Sequence, residues 1–158
     1  MSQRTATPTL QDLSVELSTY LGRLTRALSR STPGDVPTAS LRLLGQIDEL
    51  EPVAIGALAA ADRCSQPTMS AGVLHLVDRG WAVKSPNPAD ARSSLVRLTD
   101  AGRTVLGEAR RHRATDLMHR LQADPAHDEQ DVATAVAVLR GLLEHSPTHD
   151  TRAAEGTA

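Results

Sequence analysis

Apolar residues recur every three or four positions over most of this chain, and that spacing predicts a mainly helical protein. Leu10, Leu13, Leu17, Tyr20, Leu21, Leu24 and Leu28 mark one face of a first helix of about six turns. Ser31-Thr32-Pro33-Gly34 breaks it. Leu41, Leu44, Ile47 and Leu50 give a short second helix, with Thr38 or Ser40 expected near its N-cap and Pro52 at its end. A third helix, over residues 55–63, is alanine-rich and turns Ile55, Leu58 and Ala59 inward. Ser65 then caps a fourth, with Pro67 in the first turn, where a missing N–H does no harm. Met69, Val73, Leu76 and Val77 form its buried stripe, and Gly80 stops it as a C-cap.

Beyond Gly80 the helical spacing lapses. Residues 81–84 and 95–98 read as two short strands that pair as a hairpin, with residues 87–92 as its loop. Pro86 and Pro88 confine it to a short, twisted ribbon. Thr99 opens a helix to about residue 121, with Val105, Ala109 and His112 on one edge and Leu106, Arg113, Leu117 and Leu121 on another. Asp124-Pro125 breaks it, and Val132, Val136, Leu139 and Leu143 mark a last helix over residues 128–144. Residues 1–9 and 146–158 are expected to be disordered tails around a domain at 10–145. No internal repeat is present. The expected fold is mainly α with a small β-hairpin wing: a winged helix-turn-helix core at about 38–98, flanked by N- and C-terminal dimerisation helices at about 10–30 and 99–145. The apolar stripes of those flanking helices have no partner in the small middle unit, so a two-fold homodimer that interleaves them is the economical way to bury them.

At 158 residues one domain with a real core is expected, and with no Phe, one Trp and one Tyr that core is packed by Leu, Val and Ala. No run of 18 apolar residues is present, so no membrane span is expected, and Met1 to Thr9 lacks the apolar segment of a signal peptide. The single Cys64 excludes an intramolecular disulfide and fits a cytoplasmic location. A net charge of −2 conceals a gradient: residues 63–113 carry nine basic residues against four acidic ones, between acidic flanks. A basic middle suits a phosphate backbone, and a solvated charged surface accounts for it equally well. Gly72, mid-helix, weakens its helix by about 1 kcal/mol relative to alanine. Close approach to a neighbour or to DNA would explain it, and so would chance.

Several motifs stand in a fixed order: Ile55-Gly56-Ala57-Leu58-Ala59, Gln66-Pro67-Thr68-Met69-Ser70, Val77-Asp78-Arg79-Gly80-Trp81, Val83-Lys84, Asp90-Ala91-Arg92, and Leu98-Thr99-Asp100-Ala101-Gly102. In these motifs and in helix order, residues 10–143 resemble the MarR family of bacterial transcription regulators. The wing signature followed by Leu-Thr-x-x-Gly is the most specific part. The resemblance implies a cytoplasmic homodimer that binds double-stranded DNA at a pseudo-palindromic operator, is usually a repressor, and is often released by a small aromatic or anionic ligand. It places the helix that starts at Ser65 in the major groove, with Gln66, Thr68, Ser70 and His75 reaching bases or phosphates and Met69 packing inward. Arg92 would enter the minor groove, oriented by Asp90 through a charge-assisted hydrogen bond. Arg63, Lys84 and Arg97 are candidate phosphate contacts, although an acidic neighbour could hold Arg97 instead. Tyr20, Leu24, Leu44 and Trp81 are candidate ligand-pocket positions, with Trp81 equally readable as core. Two residues depart from the family pattern: Ala71 stands where many members carry arginine, and Lys84 where arginine is commoner, which keeps the charge without the bidentate fork.

Other chemistries have less support. Cys64, beside Arg63 and before a helix N-terminus, suggests a redox switch, but the peroxide-sensing branch of the family uses a cysteine in the first helix, and a half-buried turn residue is the simpler reading. His112, Asp116 and His119 share a helix but fall short of a metal ligand set, so no metal or other cofactor is expected. No phosphate loop, nucleophile elbow or CxxC is present, and no enzyme activity is expected. The alternative to a DNA-binding regulator is a winged-helix protein-interaction module, for which Ala71, Gly72 and the acidic net charge speak.

Overall fold

The computed structural model describes residues 7–30, 36–90 and 92–144. The expected break at Ser31-Thr32-Pro33-Gly34, Ala91 of the wing, most of the expected N-terminal tail and all of the C-terminal one lie outside the described residues. The elements are α1 (Leu10–Arg30), α2 (Thr38–Leu50), β1 (Val53–Ala54), α3 (Ile55–Ala61), α4 (Gln66–Asp78), β2 (Ala82–Pro86), β3 (Ser94–Leu98), α5 (Asp100–Gln122) and α6 (Glu129–Glu144). The mainly helical winged architecture expected above is the observed one. Two compact units follow along the chain, the first up to Leu117 and the second from Met118.

The first unit is built around Leu44, Ile47, Leu58, Val73, Leu76 and Val96, all wholly buried. They come from α2, α3, α4 and β3, and the burial of each stabilises the fold by about 1.5–3 kcal/mol. The wing is a three-stranded antiparallel sheet in the order β1-β3-β2. Val53 pairs with Val96, Ala82 with Leu98, and Pro86 with Ser94. The expected hairpin is present with shifted bounds, Trp81 standing just outside β2. Pro86 is tolerated because β2 is an edge strand. The third strand, β1, was not anticipated; two residues are too few to show an alternation.

Helix ends follow local chemistry with two corrections. Thr9 and Asp12 form a capping box on α1, the Asp12 N–H donating to Thr9 Oγ1 (3.2 Å) and the Thr9 N–H to Asp12 Oδ2 (3.0 Å). The Thr9 hydroxyl and N–H together hold the Asp12 carboxyl below its ordinary pKa. On α2 neither Thr38 nor Ser40 is the cap: Pro37 is, with no side-chain bond, and Ser40 is buried one turn in. Helix α3 stops two residues short of the expected end because Arg63 takes a left-handed φ of 51°. Ser65 caps α4 as expected. At its other end Gly80 (φ 72°) donates to Val77 O (2.8 Å) and Trp81 to Leu76 O (2.9 Å), a Schellman closure. The carboxylate of Asp128 caps α6, accepting from the N–H groups of Gln130 and Asp131 at 2.9 and 3.0 Å.

One junction joins α4, the wing and α5. The Trp81 carbonyl accepts the Thr99 N–H (3.1 Å), and the Thr99 hydroxyl donates to Gly80 O (2.6 Å) while accepting from the Gly102 N–H (3.0 Å). Helix α5 then passes so close that a Cβ on Gly102 would lie 2.0 Å from Trp81 O. The Leu-Thr-x-x-Gly motif thus has a physical reading: Thr99 is the cap, and Gly102 permits the approach. Beside the junction, Glu51 accepts the Leu98 N–H (2.6 Å) and pairs with Arg103, while Asp48 pairs with Arg103 (3.3 Å) and Arg110 (2.8 Å). This network ties α2 to α5 and holds the Arg103 guanidinium pKa above its ordinary value, chiefly through the Glu51 hydrogen bond. Gly72 also has a packing reason, since a Cβ there would meet a Leu43 methyl at 3.1 Å.

Gly102→Ala is expected to destabilise the protein by about 3 kcal/mol, because backbone must move to admit the methyl. Gly107→Ala, with nothing within 4 Å of the added Cβ, is expected to gain up to about 1 kcal/mol in helix propensity. Thermal unfolding at matched protein concentration checks both, and equal melting temperatures would show that the Trp81–Gly102 approach does not limit stability.

Candidate nucleic-acid interface

Helices α3 and α4 with the turn between them form a helix-turn-helix. The turn is made by Arg63 in its left-handed conformation, after which the Cys64 N–H donates to Ala59 O (3.0 Å). Cys64 is half-buried and packs against the core, the place its turn-residue reading expects. Arg63 is exposed.

Met69, Val73 and Leu76 commit one face of α4 to the core, which leaves Pro67, Ala71, Leu74 and Asp78 along the middle of the exposed face. Thr68 and His75 lie on one flank of that ridge, and both are exposed; Gln66 and Ser70 lie toward the other, with Ser70 half-buried. The Ser65 hydroxyl is engaged in capping: it accepts from the Thr68 N–H (3.3 Å) and shares a 2.7 Å hydrogen bond with the Thr68 hydroxyl. Met69 packs inward as expected. Leu74, 52% exposed, is the surface residue that sequence reasoning missed. Its signal was present: it falls out of phase with the stripe Met69, Val73, Leu76.

The wing tip is a self-bonded double turn. Asn87 Oδ1 accepts from the Ala89 N–H and Asp90 Oδ1 from the Arg92 N–H, each at 3.0 Å, while Asn87 Nδ2 donates to Ser93 Oγ (2.9 Å). Asp90 therefore shapes the turn through the Arg92 backbone, and Arg92 stands exposed at the tip. Lys84 pairs with Val96 and Arg97 with Val83, so by strand alternation the two cations face opposite sides of the ribbon and cannot hold one phosphate together.

Charge is divided between two places. Arg103 and Arg110, counted above in the basic middle, are held by Asp48 and Glu51, and Arg79 lies over the Trp81 ring at 5.2 Å. Arg63, Lys84, Arg92 and Arg97 are exposed, and none of the described acidic side chains forms an ion pair with them. The turn before α4 and the wing therefore carry basic side chains that the described carboxylates do not neutralise.

The four pocket positions are not brought to one surface. Leu44 and Trp81 belong to the core, whereas Tyr20 is 60% exposed and Leu24 is exposed on α1. Within the second unit, open cavities of about 360 Å³ lie between the end of α5 and the start of α6, lined by Met118, Leu121, His127, Asp131 and Val132. His112 and Asp116 are half-buried and His119 is exposed; among the described residues no group of three or more His, Cys, Asp or Glu is placed to hold a metal ion. No helix among them is long and apolar enough to cross a membrane.

Comparison with known proteins gives three kinds of match. The model of the MarR family matches residues 37–94, which run from the cap of α2 into β3. An uncharacterized HTH-type transcriptional regulator of Mycobacterium bovis is 29% identical over 136 residues, 85% of this chain and 95% of that one. Among solved structures, a Pseudomonas aeruginosa protein named as a candidate transcriptional regulator is 30% identical, with a TM-score of 0.67 over 87% of this chain and 96% of that one. A mutant MarR from E. coli complexed with operator DNA has the same fold, with a TM-score of 0.58, 22% identity, and coverage of 86% of this chain and 99% of that one.

Ser65→Ala removes the side-chain cap of α4 and is expected to lower stability by about 1 kcal/mol, while Ser65→Asp retains it. Denaturant unfolding of the two variants checks this, and equal losses would mean that the Ser65 hydroxyl does not hold the start of the helix.

Proposed function

The chain belongs to the MarR family, and we propose that it works as a homodimeric repressor that binds a pseudo-palindromic operator and leaves it when a small ligand binds. It is a helix-turn-helix transcriptional regulator of a DNA-binding family. The observation that carries the finer reading is the exposed face of α4, flanked by a ribbon whose tip presents an exposed arginine. An exposed helix of this width enters a major groove, and an arginine at a ribbon tip suits the narrow minor groove of A·T-rich DNA. Gln66, Thr68, Ser70 and His75 are proposed contacts of the helix, with Ser65 fixing its start. Arg92, on a turn shaped by Asp90, is the proposed wing contact, and Arg63, Lys84 and Arg97 are proposed to meet phosphates.

Support for the dimer comes from surface that a monomer leaves in water. Helix α1 buries no residue and exposes Leu10, Leu13, Leu17, Tyr20, Leu21 and Leu24; α6 buries none and exposes Val136, Val138, Leu142 and Leu143. A second copy that covers these faces would set two recognition helices about one DNA turn, roughly 34 Å, apart. A small aromatic or anionic ligand that binds one spacing more tightly than the other would then shift DNA affinity by that difference. Of the four positions proposed for its site, Tyr20 and Leu24 are open to solvent, whereas a ligand that reached Leu44 and Trp81 would have to open the core.

Fluorescence anisotropy against the DNA upstream of the chain's own gene, with a scrambled duplex and a salt series, tests this reading. Binding should be sequence-dependent and weaken with salt. Arg92→Ala should lower affinity by about 1–3 kcal/mol without changing the melting temperature. A folded protein that binds no DNA fragment, own promoter or genomic, would sink the regulator reading in favour of a protein-interaction module.

A further inference from the structure

We infer that α4 reads thymine through the Leu74 side chain, so that base choice at this surface depends on apolar contact with a methyl group; this deepens the DNA-binding reading above and rests on it. Leu74 is 52% exposed while its neighbours Val73 and Leu76 are wholly buried, so the core is complete without it. A lone exposed leucine needs no explanation. This one continues a ridge begun by Pro67 and Ala71, at spacings of four and three, along the middle of the face opposite the core stripe. No arginine, asparagine or glutamine stands on that ridge, so the bidentate pairings that select guanine or adenine have no donor there. Thymine offers the one apolar group on the major-groove edge of the bases, its C5 methyl. Arg63, Lys84, Arg92 and Arg97 on the adjoining turn and wing, exposed and without an ion pair to the described acidic side chains, favour a polyanion as the occupant over an apolar protein partner.

Duplexes selected from a random-sequence pool by the wild-type protein supply the probe. Each thymine of the selected half-site is replaced in turn by deoxyuridine, which lacks only the methyl, and affinity is read by anisotropy for wild type and Leu74→Ala. At one thymine per half-site, deoxyuridine should weaken wild-type binding about fourfold, the worth of one buried methyl. The Leu74→Ala protein should not distinguish thymine from deoxyuridine at that position, which is a coupling between one side chain and one methyl group. Leu74→Gln, of similar helix propensity, gives the same readout if the alanine variant loses helical circular dichroism. Deoxyuridine that weakens both proteins equally, or neither, overturns the role of Leu74 and leaves the regulator reading in place. Failure of the wild type to select any sequence removes the DNA-binding reading and this inference with it.

Discussion

A single carbonyl holds this architecture together. Trp81 O lies where α4 has just ended, where β2 is about to begin, and where α5 passes on its way from the wing. It accepts the Thr99 N–H and leaves room on the α5 side only for a residue without a Cβ. Three elements that must keep their relation if helix and wing are to meet one duplex are thereby fixed at one point. The Schellman closure at Gly80 aims the carbonyl, and the Arg79 guanidinium over the Trp81 ring covers the same corner.

Electrostatics divides the basic residues by task. Asp48 and Glu51 on and just beyond α2 hold Arg103 and Arg110, and these partly exposed pairs brace α2 against α5 more than they stabilise the fold. On the turn before α4 and on the wing, Arg63, Lys84, Arg92 and Arg97 form no ion pair with the described acidic side chains. The acidic net charge of the chain is therefore no argument against a polyanionic partner: field at a surface depends on where unpaired charge lies, not on its sum.

The helices were legible in the sequence because a helix is a local object. The stripe Met69, Val73, Leu76, the Ser65 cap and the Gly80 stop each involve residues within one or two turns of each other. The hairpin was legible for the same reason, with its tip at Asp90 and Arg92. Other features escaped. Strand β1 forms only because β3 arrives beside it from some forty residues away. The cap of α2 went to Pro37, which offers no side-chain oxygen for a motif search to find. Gly72, open to several explanations in the sequence, faces a Leu43 methyl 3.1 Å from where a Cβ would stand.

At the site, residue types and order along the chain established which helix faces outward, where the turn and wing lie, and which family supplies the pattern, because each depends on chemistry within a few positions. Folding alone decided which of those residues remain available. Arg103 and Arg110 were claimed by carboxylates 52 to 62 positions away, Trp81 and Leu44 went to the core, Lys84 and Arg97 were turned to opposite faces, and Leu74 was left in solvent. Spacing along a chain encodes periodicity, whereas exposure and pairing depend on which distant surfaces come within a few ångströms.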